Sequence, residues 1–243
     1  MGTDFINHII IIGWDSFAMD VTTQLINADK KVGIITNNKD DIDTINQYFC
    51  PKEVFVCISD INKFKSLDLL NVVRASAIFL NNGNDSDKLV SILSIKKILP
   101  AMKFVIVLDN MELKDTFVNA GVTYVLSKNE IASKLLASYI FEPIVADFTK
   151  ELITSTSSEE GYDIQQYKVN EKNPYKGLSY RDMFFDLKER YNVISVGLSK
   201  KDGRLLKMPN DDEMIEQGDY IVLIANGMSE KIIQKVFNVQ EGI

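Results

Sequence analysis

The sequence predicts an α/β chain in two lobes: a doubly wound parallel sheet, a helical crossover, and a smaller α+β lobe. Three observations carry this. Six short runs rich in Val, Ile, Leu and Phe occur in the first 130 residues, nearly continuous rather than alternating, as strands buried on both faces are. Amphipathic stretches separate them through short connections, the pattern of right-handed βαβ units. Beyond residue 130 the βα alternation stops, and a Ser/Thr-rich stretch leads into a region of short strands.

The strands are read at Ile9–Ile12, Val32–Thr36, Val54–Ile58, Ala77–Asn81, Phe104–Leu108 and Tyr124–Ser127. The helices between them are read at Ser16–Ala28, Lys39–Tyr48, Ile61–Leu70, Ser86–Leu99 and Glu112–Ala120, each with apolar residues at helical spacing. Asp85 or Ser86 is the expected cap of the fourth helix, Pro100 its stop, and Gly121 the stop of the fifth. Two further helices, Ile131–Phe141 and Ile144–Ile153, flank Glu142-Pro143, where proline predicts an elbow. Following a finished sheet, their apolar faces are expected to meet another subunit or the next lobe. Thr154-Ser-Thr-Ser-Ser-Glu-Glu-Gly161 reads as a linker. The last region is expected to hold strands at Gln166–Val169, Val193–Leu198, Arg204–Met208 and Tyr220–Ala225 around one helix, Ser179–Glu189. The resulting division is 1–130, 131–155 and 163–243.

Bulk properties narrow the function. The 243 residues are 46% apolar, enough for an ordinary core, and no apolar run approaches the roughly 20 residues of a membrane span. The N-terminus has no signal-peptide pattern, so this chain reads as cytosolic. A net charge of −7, with no basic and aromatic cluster, argues against a nucleic-acid partner. Cys50 and Cys57 lack metal or redox spacing and read as buried free thiols. The one histidine, His8, precedes the first strand, at the sheet's amino end and away from the ligand crevice; no nucleophile elbow, Walker A or zinc-helix motif is present, so no catalytic residue is assigned.

The binding signals lie at the carboxyl ends of the strands. His8-Ile-Ile-Ile-Ile-Gly-Trp-Asp-Ser-Phe-Ala18 opens like a dinucleotide site, yet G-x-G-x-x-G laid from Gly13 meets Asp15 at its second glycine, where backbone must approach pyrophosphate. Gly13, Trp14, Asp15 and Ser16, then Asn37 and Asn38, Asp60, and Asn81, Asn82 and Asp85 occupy successive loops of one rim, and are the candidate ligand-binding residues. An adenine nucleotide or a divalent cation are the ligand classes left open, with Asp15, Asp85 and Asp109 the candidate metal ligands. Each of these residue types also serves as a loop or helix cap.

The order of features resembles the RCK family, the regulators of potassium conductance. The opening at His8 is similar to the "H-V-V-I-x-G-W" start of channel-type members, and Asn119-Ala-Gly-Val-Thr-Tyr-Val-Leu-Ser127 to their closing strand. Helices 131–153 stand where the family places its subunit crossover. Asn173-Pro-Tyr-Lys-Gly-Leu-Ser-Tyr-Arg181, Val196-Gly-Leu198 and Gln217-Gly-Asp-Tyr-Ile-Val-Leu223 resemble its C-terminal lobe. The resemblance implies a cytosolic, ligand-sensing gating-ring domain at the inner face of the cell membrane, which couples ligand binding to opening of a prokaryotic potassium channel. It implies a dimer through Leu136, Tyr139, Ile140, Phe141, Ile144 and Phe148, pairs of which build an octameric ring, and a partner in a potassium-channel pore. The alternatives are a stand-alone subunit of a potassium transporter and, from another class, a nucleotide-dependent oxidoreductase. Met1 directly before the first lobe suggests an internal start or a fragment without its pore. Calcium-gated relatives place one acid after the fourth strand and two at the end of the fifth, where this chain offers Asn81 and Asp85, and Leu108, Asp109 and Asn110.

Overall fold

A computed structural model describes residues 2–59, 65–154 and 161–242. The chain divides into two compact units, Met1–Glu142 and Pro143–Ile243.

The first unit runs β1 (Ile9–Ile12), α1 (Ser16–Asn27), β2 (Val32–Thr36), α2 (Asp40–Tyr48), β3 (Val54–Ile58), α3 (Lys65–Leu69), β4 (Ala77–Leu80), α4 (Asp85–Ile98), β5 (Phe104–Val107), α5 (Lys114–Asn119), β6 (Tyr124–Leu126) and α6 (Lys128–Phe141). All six strands are parallel, in the order β3-β2-β1-β4-β5-β6. The period of two along each strand splits the core between the two sheet faces. Ile10, Ile12, Ile78, Leu80, Phe104 and Ile106 pack with Leu67, Ile92, Ile95 and Phe117 from α3, α4 and α5. Ile11, Ile34 and Phe79 pack on the other face with Ala18 of α1 and Ile45 of α2. This is the Rossmann-like doubly wound sheet the sequence predicts.

Boundaries shift for local reasons. Helix α4 starts at Asp85 because Asn84, and neither Asp85 nor Ser86, is its cap: the Asn84 side chain accepts from the Asp87 N–H, and Asp87 reciprocates in a capping box. The predicted helix at 112–120 opens as a 3₁₀ turn, Met111–Leu113, before α5. The start of the predicted helix 61–70 falls outside the described residues, as does most of the proposed linker, residues 155–160. Of the two thiols only Cys57 is buried, which raises its pKa to about 11; Cys50 is exposed.

The second unit contains α7 (Pro143–Leu152), β7 (Tyr162–Lys168), α8 (Tyr180–Tyr191), β8 (Ile194–Ser199), β9 (Leu205–Lys207), β10 (Tyr220–Asn226) and α9 (Gly227–Phe237). Its sheet is antiparallel, in the order β7-β10-β8-β9. The expectation of one helix is corrected: α9 follows β10, capped by Asn226, and its Ile233 and Phe237 enter the core beside Met183 and Leu187 of α8. Phe237 stands edge-on to Tyr167 at 5.3 Å and to Tyr175 at 5.7 Å. The Gly218-Asp219 pair builds a turn. Gly218 takes φ +94°, and the fully buried Asp219 accepts from the Lys201 and Glu216 backbone N–H groups and from Lys200 Nζ at 2.8 Å.

The helix break falls where the sequence places it, with Pro143 as the first residue of α7, where a missing N–H costs nothing. The unit boundary also falls there, so α6 is grouped with the first sheet and α7 with the second. Helix α6 has no buried residue: Leu136, Ile140 and Phe141 are exposed, Ile140 at 80%. On α7 Ile144 is 83% exposed and Phe148 is exposed, whereas Ala146 and Leu152 are buried. No described helix is long and apolar enough to cross a membrane.

A helix of this length is marginal by itself, so α6 needs a covering surface. If a second copy supplies it, Leu136→Asp places an unpaired charge in an apolar contact at a cost of several kcal/mol and shifts the protein to monomer. Light scattering at micromolar concentration checks this; a wild type that is already monomeric there rejects it.

Candidate functional site

The reversal of strand order lies between β1 and β4, which opens a crevice beyond their carboxyl ends. Gly13 ends β1 with φ +95°, and a Cβ on it would stand 2.8 Å from the Asn81 carbonyl oxygen and 2.9 Å from Asn82 Cβ. Only glycine allows the two loops this close. Asp15 caps α1: its Oδ1 accepts from the Ala18 N–H at 2.8 Å and from Asn81 Nδ2 at 2.7 Å, joining the β1 and β4 loops across the crevice. Trp14 turns toward the second strand's side, edge-on to Phe49 at 6.3 Å, and Ser16 is exposed. Asn82 Oδ1 is buried without a hydrogen-bond partner.

At the end of β2, the Asn37 side chain is exposed and Asn38 is a capping residue, its Oδ1 accepting from the Asp40 N–H. Sequence reasoning missed Asp41, whose two oxygens accept from the Thr36 hydroxyl and from Asn38 Nδ2. The signal was the acidic first turn of α2. Asp60 lies outside the described residues.

Asp85 does something the sequence does not suggest. It is buried, accepts from the backbone N–H of Asn110 at 2.9 Å and of Asp109 at 3.2 Å, and meets Lys88 Nζ at 3.3 Å. Lys88, also buried and also missed, donates to the Val107 carbonyl at 2.8 Å. Burial pushes the Asp85 carboxyl up, but the two N–H groups and Lys88 outweigh it and hold its pKa below 3.8. Asp85 therefore fastens the β5 loop to the start of α4. The three proposed metal acids do not assemble: among the described residues no group of three His, Cys, Asp or Glu could hold a metal ion, because Asp85 faces backbone donors and Lys88. His8 is fully buried, with Nε2 on the Leu70 carbonyl, far along β1 from the rim.

The sequence of residues 9–128 matches the TrkA-N domain family. The first lobe belongs to the TrkA-N family. The likeness to relatives runs past this lobe: the calcium-gated potassium channel TvoK of Thermoplasma volcanium is 27% identical over 231 residues, covering 92% of this chain and 64% of that channel. The probable ion channel POLLUX of rice, Oryza sativa, is 19% identical over 240 residues, 90% of this chain and 24% of POLLUX. The chain thus spans less than two thirds of the length of either relative. In fold, the human SLO3 gating ring superposes on 95% of this chain, and 46% of its own, with TM-score 0.66 at 12% identity. The TrkA-N domain of Escherichia coli inner membrane protein ybaL covers 58% of this chain over its full length, with TM-score 0.50 at 16% identity. The fold of the whole chain is similar to that of the SLO3 gating ring.

Replacing Asp85 by Ala leaves Lys88 buried without its partner and frees the β5 loop, at a cost of about 3–5 kcal/mol. Because folding lowers the Asp85 pKa, its contribution is present above the ordinary value of 3.8 and lost as pH falls through the folded value. Urea unfolding at neutral pH and an acid titration of wild type and Asp85→Ala check both points; equal stabilities reject them.

Proposed function

We propose that this chain is the cytosolic ligand-sensing part of a prokaryotic potassium channel, a gating-ring segment that converts occupancy of the β1/β4 crevice into movement of a pore. The likeness to TvoK across both lobes supports it most directly, since 92% of this chain aligns with a gated channel rather than the TrkA-N lobe alone. The crevice supports a binding role. Its described residues are caps and hydrogen-bonding groups, which fits a chain that acts by shifting a population between arrangements rather than by catalysis. The exposed faces of α6 and α7 fit assembly of copies into dimers and a ring at the inner face of the membrane. A nucleotide is the better ligand class, because among the described residues the acids a divalent cation needs do not converge.

Rubidium flux through the full gene product in vesicles, with ADP, NAD or calcium on the side of this domain, tests the reading. At least one ligand changes the flux severalfold; a flux indifferent to all three overturns it. No flux under any condition puts the pore on another polypeptide and favours the transporter-subunit alternative.

The ligand class has its own test at Asp15. Asn preserves an acceptor for the Ala18 N–H while removing the charge, so Asp15→Asn keeps α1 capped. It tightens ADP or NAD by about tenfold through lost repulsion, whereas a bound calcium ion weakens. Calorimetric titration reads the sign, and unchanged affinity for every ligand that binds limits Asp15 to capping.

A further inference from the structure

At the opposite end of β1 from the crevice, the segment before the strand is strapped to the chain after α3. The Thr3 N–H donates to the Leu69 carbonyl and the Asn7 N–H to the Arg74 carbonyl, both at 2.8 Å, while Asn71 Nδ2 donates to the Phe5 carbonyl at 2.9 Å. Phe5 is buried and stands edge-on to the His8 ring at 6.0 Å. His8 is fully buried and closes the clasp: its Nε2 is 2.7 Å from the Leu70 carbonyl. A carbonyl only accepts, so Nε2 carries the hydrogen and the neutral ring leaves Nδ1 bare. Nδ1 is buried and has no hydrogen-bond partner among the described residues.

This geometry accommodates one protonation state. A proton on Nδ1 creates a buried donor and a buried charge with nothing to accept it. The charged residues on the surrounding described elements include Asp4 on the strap, Asp68 on α3, Arg74 after it, and Lys30 and Lys31 before β2, the Lys31 ammonium lying 4.8 Å from the Phe5 ring centre. Among the described residues none offsets the penalty: burial lowers the pKa of His8 and only the Leu70 bond acts against it.

We propose that His8 is an acid-sensitive clasp, whose protonation at Nδ1 releases the strap of residues 2–7 from the turn at Leu69–Arg74. Opening the strap hydrates the ring and lets it take up the proton, so the open form is favoured as pH falls. The sign follows from linkage. The folded pKa lies below the ordinary 6.5, so the closed strap is fully stable above 6.5 and loses stability as pH drops below it. The device is independent of the crevice and of any ligand.

Hydrogen exchange at the Thr3 and Asn7 amides, corrected for intrinsic rate, tests it between pH 7.5 and 5.5, a window above the ordinary range of the neighbouring carboxylates. The opening constant rises by up to about tenfold per pH unit below 6.5 in wild type. In His8→Gln, whose amide can reach the Leu70 carbonyl without titrating, it stays level. A pH-independent wild type, or the same dependence in His8→Gln, overturns the proposal. Should His8→Gln fail to fold, the wild type suffices, because its one histidine gives a single imidazole resonance. That resonance titrates below 6.5 in step with the Thr3 and Asn7 amides; a midpoint at or above 6.5, or strap amides that do not move with it, sinks the clasp.

Discussion

The crevice depends on the approach of Gly13 to the Asn81 carbonyl. Strand order reverses between β1 and β4, so their outgoing loops must part to opposite faces of the sheet while their last residues remain hydrogen-bonded neighbours. With φ +95° and 2.8 Å between a hypothetical Cβ and that oxygen, any side chain at 13 would drive the loops apart. The first glycine of the dinucleotide fingerprint is thus retained for a backbone reason that has nothing to do with phosphate. The second glycine serves the ligand, and it is the one replaced. Asp15 instead bonds the α1 amino terminus and Asn81, filling from within the position where an anion would gain from the helix dipole.

The same economy governs the other acids. Asp41 holds Thr36 and Asn38, Asp85 holds the β5 loop and Lys88, and Asp219 holds a turn and Lys200. Each carboxylate sits where hydroxyl, amide, backbone N–H or ammonium donors satisfy it, as partly or fully buried charges must be. What remains for a ligand among the described rim residues is Asn37, Ser16, the exposed Asp109 and the unsatisfied oxygen of Asn82. A rim of that kind suits hydrogen-bonding recognition more than cation coordination.

The parallel strands were legible because burial on both faces demands unbroken runs such as Ile9–Ile12, and the helix break because Pro143 cannot continue a helix. The rim was legible as a place, since loops after parallel strands share one edge whatever their sequence. Individual roles were not. Asp85 read as a surface donor beside a helix start, yet its partners Asp109 and Asn110 lie 24 and 25 residues on, and only the pairing of β4 with β5 brings them together. Helix α9 went unread because its apolar positions, Ile232, Ile233, Val236 and Phe237, follow a strand without a break, Asn226 being both the last strand residue and the cap.

An incomplete dinucleotide site is what regulation requires. Hydride transfer needs a cofactor held within reach of its substrate and a group to exchange the proton, and loss of either ends the chemistry. A sensor needs only a difference in affinity between two arrangements of the protein; a hundredfold difference already displaces their balance by about 2.7 kcal/mol. Such a difference can come from one contact that the two arrangements make unequally. The bridge from Asp15 to Asn81 spans the two loops that must move relative to each other if the crevice changes width, and it is exposed, where a ligand can replace it. On the proposed reading, retaining the fold while replacing the second glycine keeps a crevice whose width a ligand can bias, without the close pyrophosphate contact that holding a cofactor for hydride transfer needs.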